Sequence, residues 1–286
     1  MSFPIAMIPY ANMAPFRELG EPRGCSFIQV IPRLSVAALA EGKILAAAVP
    51  VGGLPFLRGK VEYLGLYGIG CRERSMSVLL FSDRPMEEMG QDTRIRLTGE
   101  SASSVRLLRL LLGHKLGFER LPEMVLGLET RDCLDCQAEL IIGDTALKEY
   151  MGRKHGQSGE HAERFPLVTD LAAQWYSISG LPFVFARWVV RRDAPDASKD
   201  SLKGWLDRFR EQEVSLVEAS APKAAKALGI SNEDMLDYFR VIRRSLDASD
   251  QAGQERFQGE YGRVARDIEQ GLLSPLTGRE DGHGRL

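Results

Sequence analysis

Between Leu97 and Leu112 the chain reads LTGESASSVRLLRLLL, and the polar half of that run carries the densest chemistry in the sequence. Glu100, Ser101, Ser103 and Ser104 lead straight into an apolar helical pattern at Val105, Leu107, Leu108, Leu111 and Leu112. A helix that opens on serines gathers unpaired backbone N–H groups, hydroxyl donors and the positive end of its dipole at one point. Such a point can hold a carboxylate. One serine there is an ordinary N-cap; three serines in four positions suit an anion site as well as a cap. Asp144 ends the run IIGD, after an apolar stretch where parallel sheets place ligand contacts. It reads equally as the N-cap of a helix starting at Thr145. Ser75 and Ser77 border the apolar run MSVLLF and could face the same cleft. Tyr10 and Trp188 could wall a ring, or pack as core aromatics beside strands.

The elements that must position these groups follow from periodicity and breakers. Ile5–Ile8 is a short strand stopped by Pro9, and Asn12 sits where it gives way to a loop or helix. Phe27–Ile31 is a second strand, and Leu34–Leu39 a helix closed by Gly42. Ala46–Val49 is a third strand, and Met76–Phe81 a fourth. A fresh unit then begins: strand Arg94–Leu97, helix Ser101–Leu112, strand Met124–Leu126, a short helix over Leu134–Ala138, strand Ala138–Ile142. Pro182–Arg191 is a long strand of β-branched and aromatic residues. Charged amphipathic helices follow at Leu202–Phe209, Ala221–Leu228, Glu233–Arg244 and Gln254–Glu269, and the tail GREDGHGRL predicts disorder. Continuous apolar strands separated by helices predict a parallel sheet covered on both faces. The two long strands flanking a middle strand–helix–strand block predict an α/β protein of two lobes. Residues 1–82 and 188–286 form one lobe, residues 83–187 an inserted second one, and the ligand cleft lies between them.

Bulk properties narrow the class. The chain has 286 residues, 44% hydrophobic and 27% charged, with a formal net charge of −2. That balance gives no electrostatic reason to expect nucleic acid or an anionic membrane. No apolar run is long enough to span a bilayer, and the start MSFPIAMIPYANMAPF lacks a basic n-region and an apolar core for export. Cys25, Cys71, Cys133 and Cys136 form no framework; Cys133 and Cys136 are a single Cys-x-x-Cys pair, and reduced thiols in the cytoplasm are expected. There is no Gly-x-Gly-x-x-Gly, no P-loop and no metal-ligand spacing, so no cofactor is expected.

Several blocks together carry a resemblance: IPYANMAPF, SVLLFS at Ser77–Ser82, GESASSVRLLRLLL, ELIIGDTAL at Glu139–Leu147, and DLAAQWYSISGLPFVFARWVVR at Asp170–Arg191. Over residues 3–192 they resemble the chorismate dehydratase family of the futalosine menaquinone pathway. The resemblance implies a two-lobed type II periplasmic-binding-protein-like fold. It also implies loss of water from chorismate to give 3-[(1-carboxyvinyl)oxy]benzoate. Chorismate is a dianion, so its site needs two anion holders and a group at the C4 hydroxyl. The resemblance places Asn12 in the cleft and gives a substrate carboxylate to the helix at Ser101, Ser103 and Ser104. Arg74 could pair with the second carboxylate, although the RER run around it also reads as a solvated face. A carboxamide is no general base at neutral pH; Asn12 can donate to the departing hydroxyl or hold a ring substituent. No histidine and no carboxylate pair stands in the matched blocks, so the substrate's enolpyruvyl carboxylate is the expected base, with the protein orienting it and excluding water.

Two departures bear on substrate identity. Ala11 precedes the motif asparagine in place of the usual leucine, and PVGGLPFL at Pro50–Leu57 differs from the usual proline–serine–x–glutamate-like run. A paralogue acting on a related acid is therefore an alternative. A solute-binding protein for a small aromatic or carboxylic acid is another, and lacks the export signal it needs. The naphthoate-releasing relative of the superfamily is expected to use a histidine base, and His114, His155, His161 and His283 all lie outside the matched blocks. A small-molecule partner is expected throughout.

Overall fold

The structure is a computed structural model that describes residues 2–127 and 135–269. In chain order the first part runs β1 (Phe3–Met7), α1 (Ala14–Glu18), β2 (Cys25–Gln29), α2 (Pro32–Ala40), β3 (Ala46–Pro50) and β4 (Val61–Cys71). The middle part runs β5 (Val78–Ser82), β6 (Arg94–Thr98), α3 (Ala102–Leu116), β7 (Glu123–Gly127), β8 (Ala138–Ile142), α4 (Gly143–Lys154), α5 (Glu160–Arg164), β9 (Leu167–Asp170) and α6 (Leu171–Ser179). The last part is β10 (Phe183–Arg191), α7 (Asp196–Leu228), α8 (Asn232–Val241), β11 (Ile242–Ser245) and α9 (Ala248–Glu269).

Two sheets define two lobes. The first has the order β11-β4-β10-β3-β1-β2 and the second β7-β6-β8-β5-β9. In the first, β2 and β3 flank β1 in parallel, whereas β10 returns antiparallel between β3 and β4. The expected parallel sheet is thus a mixed one, because the chain comes back from the second lobe in the opposite sense. The strand Val78–Ser82, expected at the end of the first lobe, pairs antiparallel with β8 and β9 in the second sheet. Phe183 already pairs with Cys71 in the first. The chain therefore crosses between the sheets at residues 72–77 and again at 180–182.

β4 has no counterpart in the sequence expectation, and its glycines explain why. VEYLGLYGIGC offers neither steady alternation nor a continuous apolar run. Close approach of β10 demands Gly68 and Gly70: a Cβ on Gly68 would sit 2.2 Å from the Ala186 carbonyl oxygen and one on Gly70 3.0 Å from that of Phe183. The helices expected over 202–209 and 221–228 are one helix, α7, which carries Pro222 inside it. Helix α8 stops at Val241, so Arg244 lies in β11, not in a helix. Residues 135–137 form a turn, not the end of a short helix; the rest of that expected element, and the tail, lie outside the described residues. Cys25 and Cys71 are free and buried, but Cys136 is disulfide-bonded, which corrects the expectation of reduced thiols throughout. Cys133 lies outside the described residues.

The first lobe is built around aromatic side chains. Phe16 stacks on Phe209 at 3.9 Å and meets Trp188 and Trp205 at 5.6 and 5.7 Å between centroids. Trp188 is fully buried there, so it is a core residue and walls no ligand. Burying such a ring contributes on the order of 2 kcal/mol.

Candidate active site

Pro9 ends β1, and the chain turns through a single 3-10 turn at Ala11–Met13 that presents Tyr10 and Asn12. Four polar contacts fix this turn. The Ala11 N–H donates to the Asp144 carboxylate at 2.8 Å. Arg17 donates to the carbonyls of Ile8 and Tyr10, each at 3.0 Å. From far along the chain, Arg244 Nε donates to the Asn12 carbonyl at 3.0 Å. Burial pushes the Asp144 carboxyl up, against the Ala11 hydrogen bond and Arg17, which hold it down.

Opposite stands the N-terminus of α3. Ser101 is its N-cap and accepts from the Ser104 N–H at 3.2 Å, with the two hydroxyls 3.1 Å apart. No acidic residue occupies the first turn. The helix dipole therefore meets the cleft uncompensated from within its own first turn.

Between these walls lies a cleft of about 50 Å³. Tyr10, Asn12, Ser77, Ser101 and Ser104 line it, together with Ile8, Ile69, Val78, Ile142, Phe185 and Ile242 from both sheets. Five of the residues singled out from the sequence thus meet at one place. Ser103, Asp144 and Ser75 do not line it. Ser103 accepts from the Gly52 N–H and donates to the Phe185 carbonyl, both at 3.0 Å, which ties α3 to the first lobe. Asp144 faces the Asn12 turn from behind. Ser75 holds the crossing: its N–H and that of Met76 donate to Asp170 at 2.8 Å, and its hydroxyl donates to the same carboxylate at 3.1 Å. Met76 takes a left-handed φ of 59° in that grip. Arg74 is exposed and off the lining.

Three features were not read from the sequence. The Tyr10 hydroxyl donates to the Glu100 carboxylate, which joins the two lobes across the cleft. Burial first, and then Glu100, pushes the Tyr10 phenol well above its ordinary range. Gly143 makes room for the Tyr10 ring: a Cβ there would lie 2.9 Å from it, at a φ of +67°. Gly143 within IIGD was the available signal. Third, Tyr238 and Arg244 stand behind Asn12, on a segment that none of the quoted motifs covers.

Among the lining residues Tyr10 carries the one titratable side chain. His114 pairs with Glu260 at 2.9 Å, His155 with Asp234 at 2.8 Å, and His161 with Glu149 and Glu139 at 3.1 and 3.3 Å, all away from the cleft. No group of three His, Cys, Asp or Glu that could hold a metal occurs among the described residues. The arrangement can seat an anion at α3, present amide and hydroxyl groups opposite, and exclude water from an otherwise apolar space.

The chain has the periplasmic-binding-protein fold. It is similar to a protein of Archaeoglobus fulgidus, with a TM-score of 0.66 and 14% identity over 95% of this chain and 98% of that one. It is also similar to a Candida albicans gene product described as having the generic periplasmic binding protein fold (TM-score 0.64, 10% identity, 94% and 95% covered). A third likeness is to the alkanesulfonate-binding protein SsuA of Xanthomonas axonopodis pv. citri (TM-score 0.63, 14% identity, 96% and 95% covered). Within that class the chain belongs to the menaquinone biosynthesis family, whose pattern it matches over residues 3–262. A curated relative, the chorismate dehydratase of Thermus thermophilus, is 28% identical over 257 residues, 87% of this chain and 91% of that protein.

Proposed function

We propose that this protein is a chorismate dehydratase, a hydro-lyase that removes water from chorismate to give 3-[(1-carboxyvinyl)oxy]benzoate, and that it works in the cytoplasm. The observation that carries the reading is a cleft holding a serine-opened helix and an asparagine but no lining carboxylate or histidine. The named relative supports the same substrate.

The ring carboxylate sits at the N-terminus of α3, against the Ser101 and Ser104 hydroxyls and the helix dipole. That leaves the enolpyruvyl carboxylate to act. One of its oxygens reaches the C3 hydrogen through a six-membered arrangement of H, C3, the ether oxygen, two carbons and itself. It takes that proton, the C3–H electrons form the C3–C4 double bond, and the C4–O bond breaks on the same face. The proton taken from C3 passes from the carboxyl to the departing C4 hydroxyl, which leaves as water; the carboxylate is regenerated and the ring becomes aromatic. In a space walled by Ile8, Ile69, Val78, Ile142, Phe185 and Ile242, poor hydration makes a carboxylate a stronger base than in water. Asn12 and Ser77 contact the C4 hydroxyl, and Tyr10 bonded to Glu100 closes one side.

Purified protein mixed with chorismate tests this, with chorismate absorbance followed and the product weighed by mass spectrometry. Loss of one water is expected. Unchanged chorismate would sink the reading. The alternative then is a solute-binding protein for a small aromatic or carboxylic acid. Thermal shifts with aromatic acids would identify its ligand.

A further inference from the structure

Glu100 is the member of the run GESASS to which the proposed chemistry gives no task. Its position is awkward for an anion seat. The residue directly precedes Ser101, the N-cap of α3, and a carboxylate there repels a second anion at the same helix start. In a space poor in water that repulsion is stronger than in solvent. The main chain of Glu100 is fixed on both sides. Its N–H donates to Thr98 Oγ1 at 3.2 Å, and its carbonyl accepts from the Arg33 N–H on α2, also at 3.2 Å. The side chain is the remaining freedom, and the Tyr10 hydroxyl of the first lobe takes it by donating to the carboxylate. Tyr10, Ser101 and Ser104 line the cleft, whereas Glu100, one residue from Ser101, does not. The phenol is a firm donor, because burial and Glu100 both keep its proton on. Its ring is seated as well, against Gly143, where a Cβ would lie 2.9 Å away.

We propose that Tyr10 is a positioning residue that clears the anion seat: by bonding Glu100 it draws that carboxylate aside and leaves Ser101, Ser104 and the α3 dipole to a ligand carboxylate. Without the phenol, Glu100 is free to turn toward the helix start, whose first N–H groups lack acceptors within the helix. There it competes with the ligand from inside the protein. The two partners belong to different lobes, so the seat is clear while the lobes are together. This assignment rests on the reading of the α3 terminus as the seat of a substrate carboxylate. It deepens that reading by naming the group that keeps the seat open.

The test is a double-mutant cycle read first with benzoate, a plain aromatic carboxylate, by isothermal titration calorimetry. Tyr10→Phe keeps the ring on Gly143 and is expected to weaken benzoate about 10-fold or more. Glu100→Gln, which removes the charge and keeps an acceptor for the phenol, should stay within about 3-fold of the wild type. The double variant Tyr10→Phe/Glu100→Gln should recover to within about 3-fold of the wild type, because no charge is left to repel the ligand. A double variant as weak as Tyr10→Phe overturns the proposal, since Tyr10 would then act on the ligand directly or through the fold. Tyr10→Phe binding like the wild type overturns it too. Where chorismate is turned over, its KM is expected to follow the same order across the four proteins. A wild type that binds benzoate and leaves chorismate unchanged sinks the dehydratase reading alone. Turnover of chorismate with no recovery in the double variant sinks this proposal alone, and a wild type that takes neither acid overturns both.

Discussion

The two walls of the cleft are held in place by opposite means. The Asn12 turn is pinned by Arg17 on the helix that follows it and by two groups from far along the chain, Asp144 on α4 and Arg244 on β11. At the α3 terminus the donors are ordered by their own neighbours, a serine cap whose hydroxyl meets that of Ser104, while Ser103 ties the helix to the first lobe. The difference teaches that an anion seat can be written locally, since a helix start supplies donors and dipole by itself. A single amide held at one orientation cannot. It needs partners on several sides, and tertiary structure must bring them.

The sharpest way to break the comparison is to remove the remote clamp. Arg244 is almost wholly buried, and burial pulls its guanidinium down to about 10, still cationic at neutral pH. Arg244→Met leaves the carbonyls of Asn12, Phe239 and Ile242 without their donor. A loss of about 3 kcal/mol in denaturant unfolding is expected. A loss below about 1 kcal/mol would show that the Asn12 turn stands without β11.

Next in size is the amide itself. Asn12→Ala should leave the thermal midpoint within a few degrees, since Oδ1 has no partner to lose. Turnover of chorismate should fall about 100-fold or more, the usual cost of one directed hydrogen-bonding group at a developing charge. Retained turnover would take the chemistry away from this wall. The local wall predicts a smaller and different signature. Ser101→Ala removes the cap accepted from Ser104, worth about 1 kcal/mol of stability, and weakens the anion seat. KM should rise several-fold with kcat nearly unchanged; the reverse split would place the carboxylate elsewhere.

How much of this was legible in the sequence follows the same division. The serine opening of α3 was legible as a cap at Ser101, because capping is a local rule. Ser103, two residues on, was assigned to the ligand and instead bonds Gly52 and Phe185. Helical geometry turns neighbours by about 100°, and only packing says which way each faces. Asp144 and Ser75 carried the right chemistry for a site but serve the scaffold, one under the Asn12 turn and one at the crossing between sheets. Tyr238 and Arg244 gave no signal at all, since a tyrosine and an arginine in a charged helical segment look like surface. β4 was hidden by the glycines that let β10 approach it.

The smallest effect expected separates the cleft from the rest of the second lobe. On the far side of β8, Glu139 is buried between Arg96, at 2.7 and 3.0 Å, and His161. Burial opposes its charge, yet hydrogen bonds from His161 and Arg96 outweigh that and hold the carboxyl down at about 2, against an ordinary 4.5. His161 is raised above its ordinary 6.5, by Glu139 first, with burial opposing and Glu149 assisting. A raised histidine stabilises the fold fully below pH 6.5, and that contribution fades as pH climbs through its folded value. A depressed carboxylate does the opposite, contributing above pH 4.5 and fading as pH falls toward 2. Thermal melts of wild type and His161→Gln should therefore differ most between about pH 5 and 6.5, and the curves should converge on the alkaline side. Turnover should hold at the wild-type level across that range, because His161 touches neither wall. A parallel loss of turnover would join this cluster to the cleft and end the separation between a lobe that carries stability and the walls that carry chemistry.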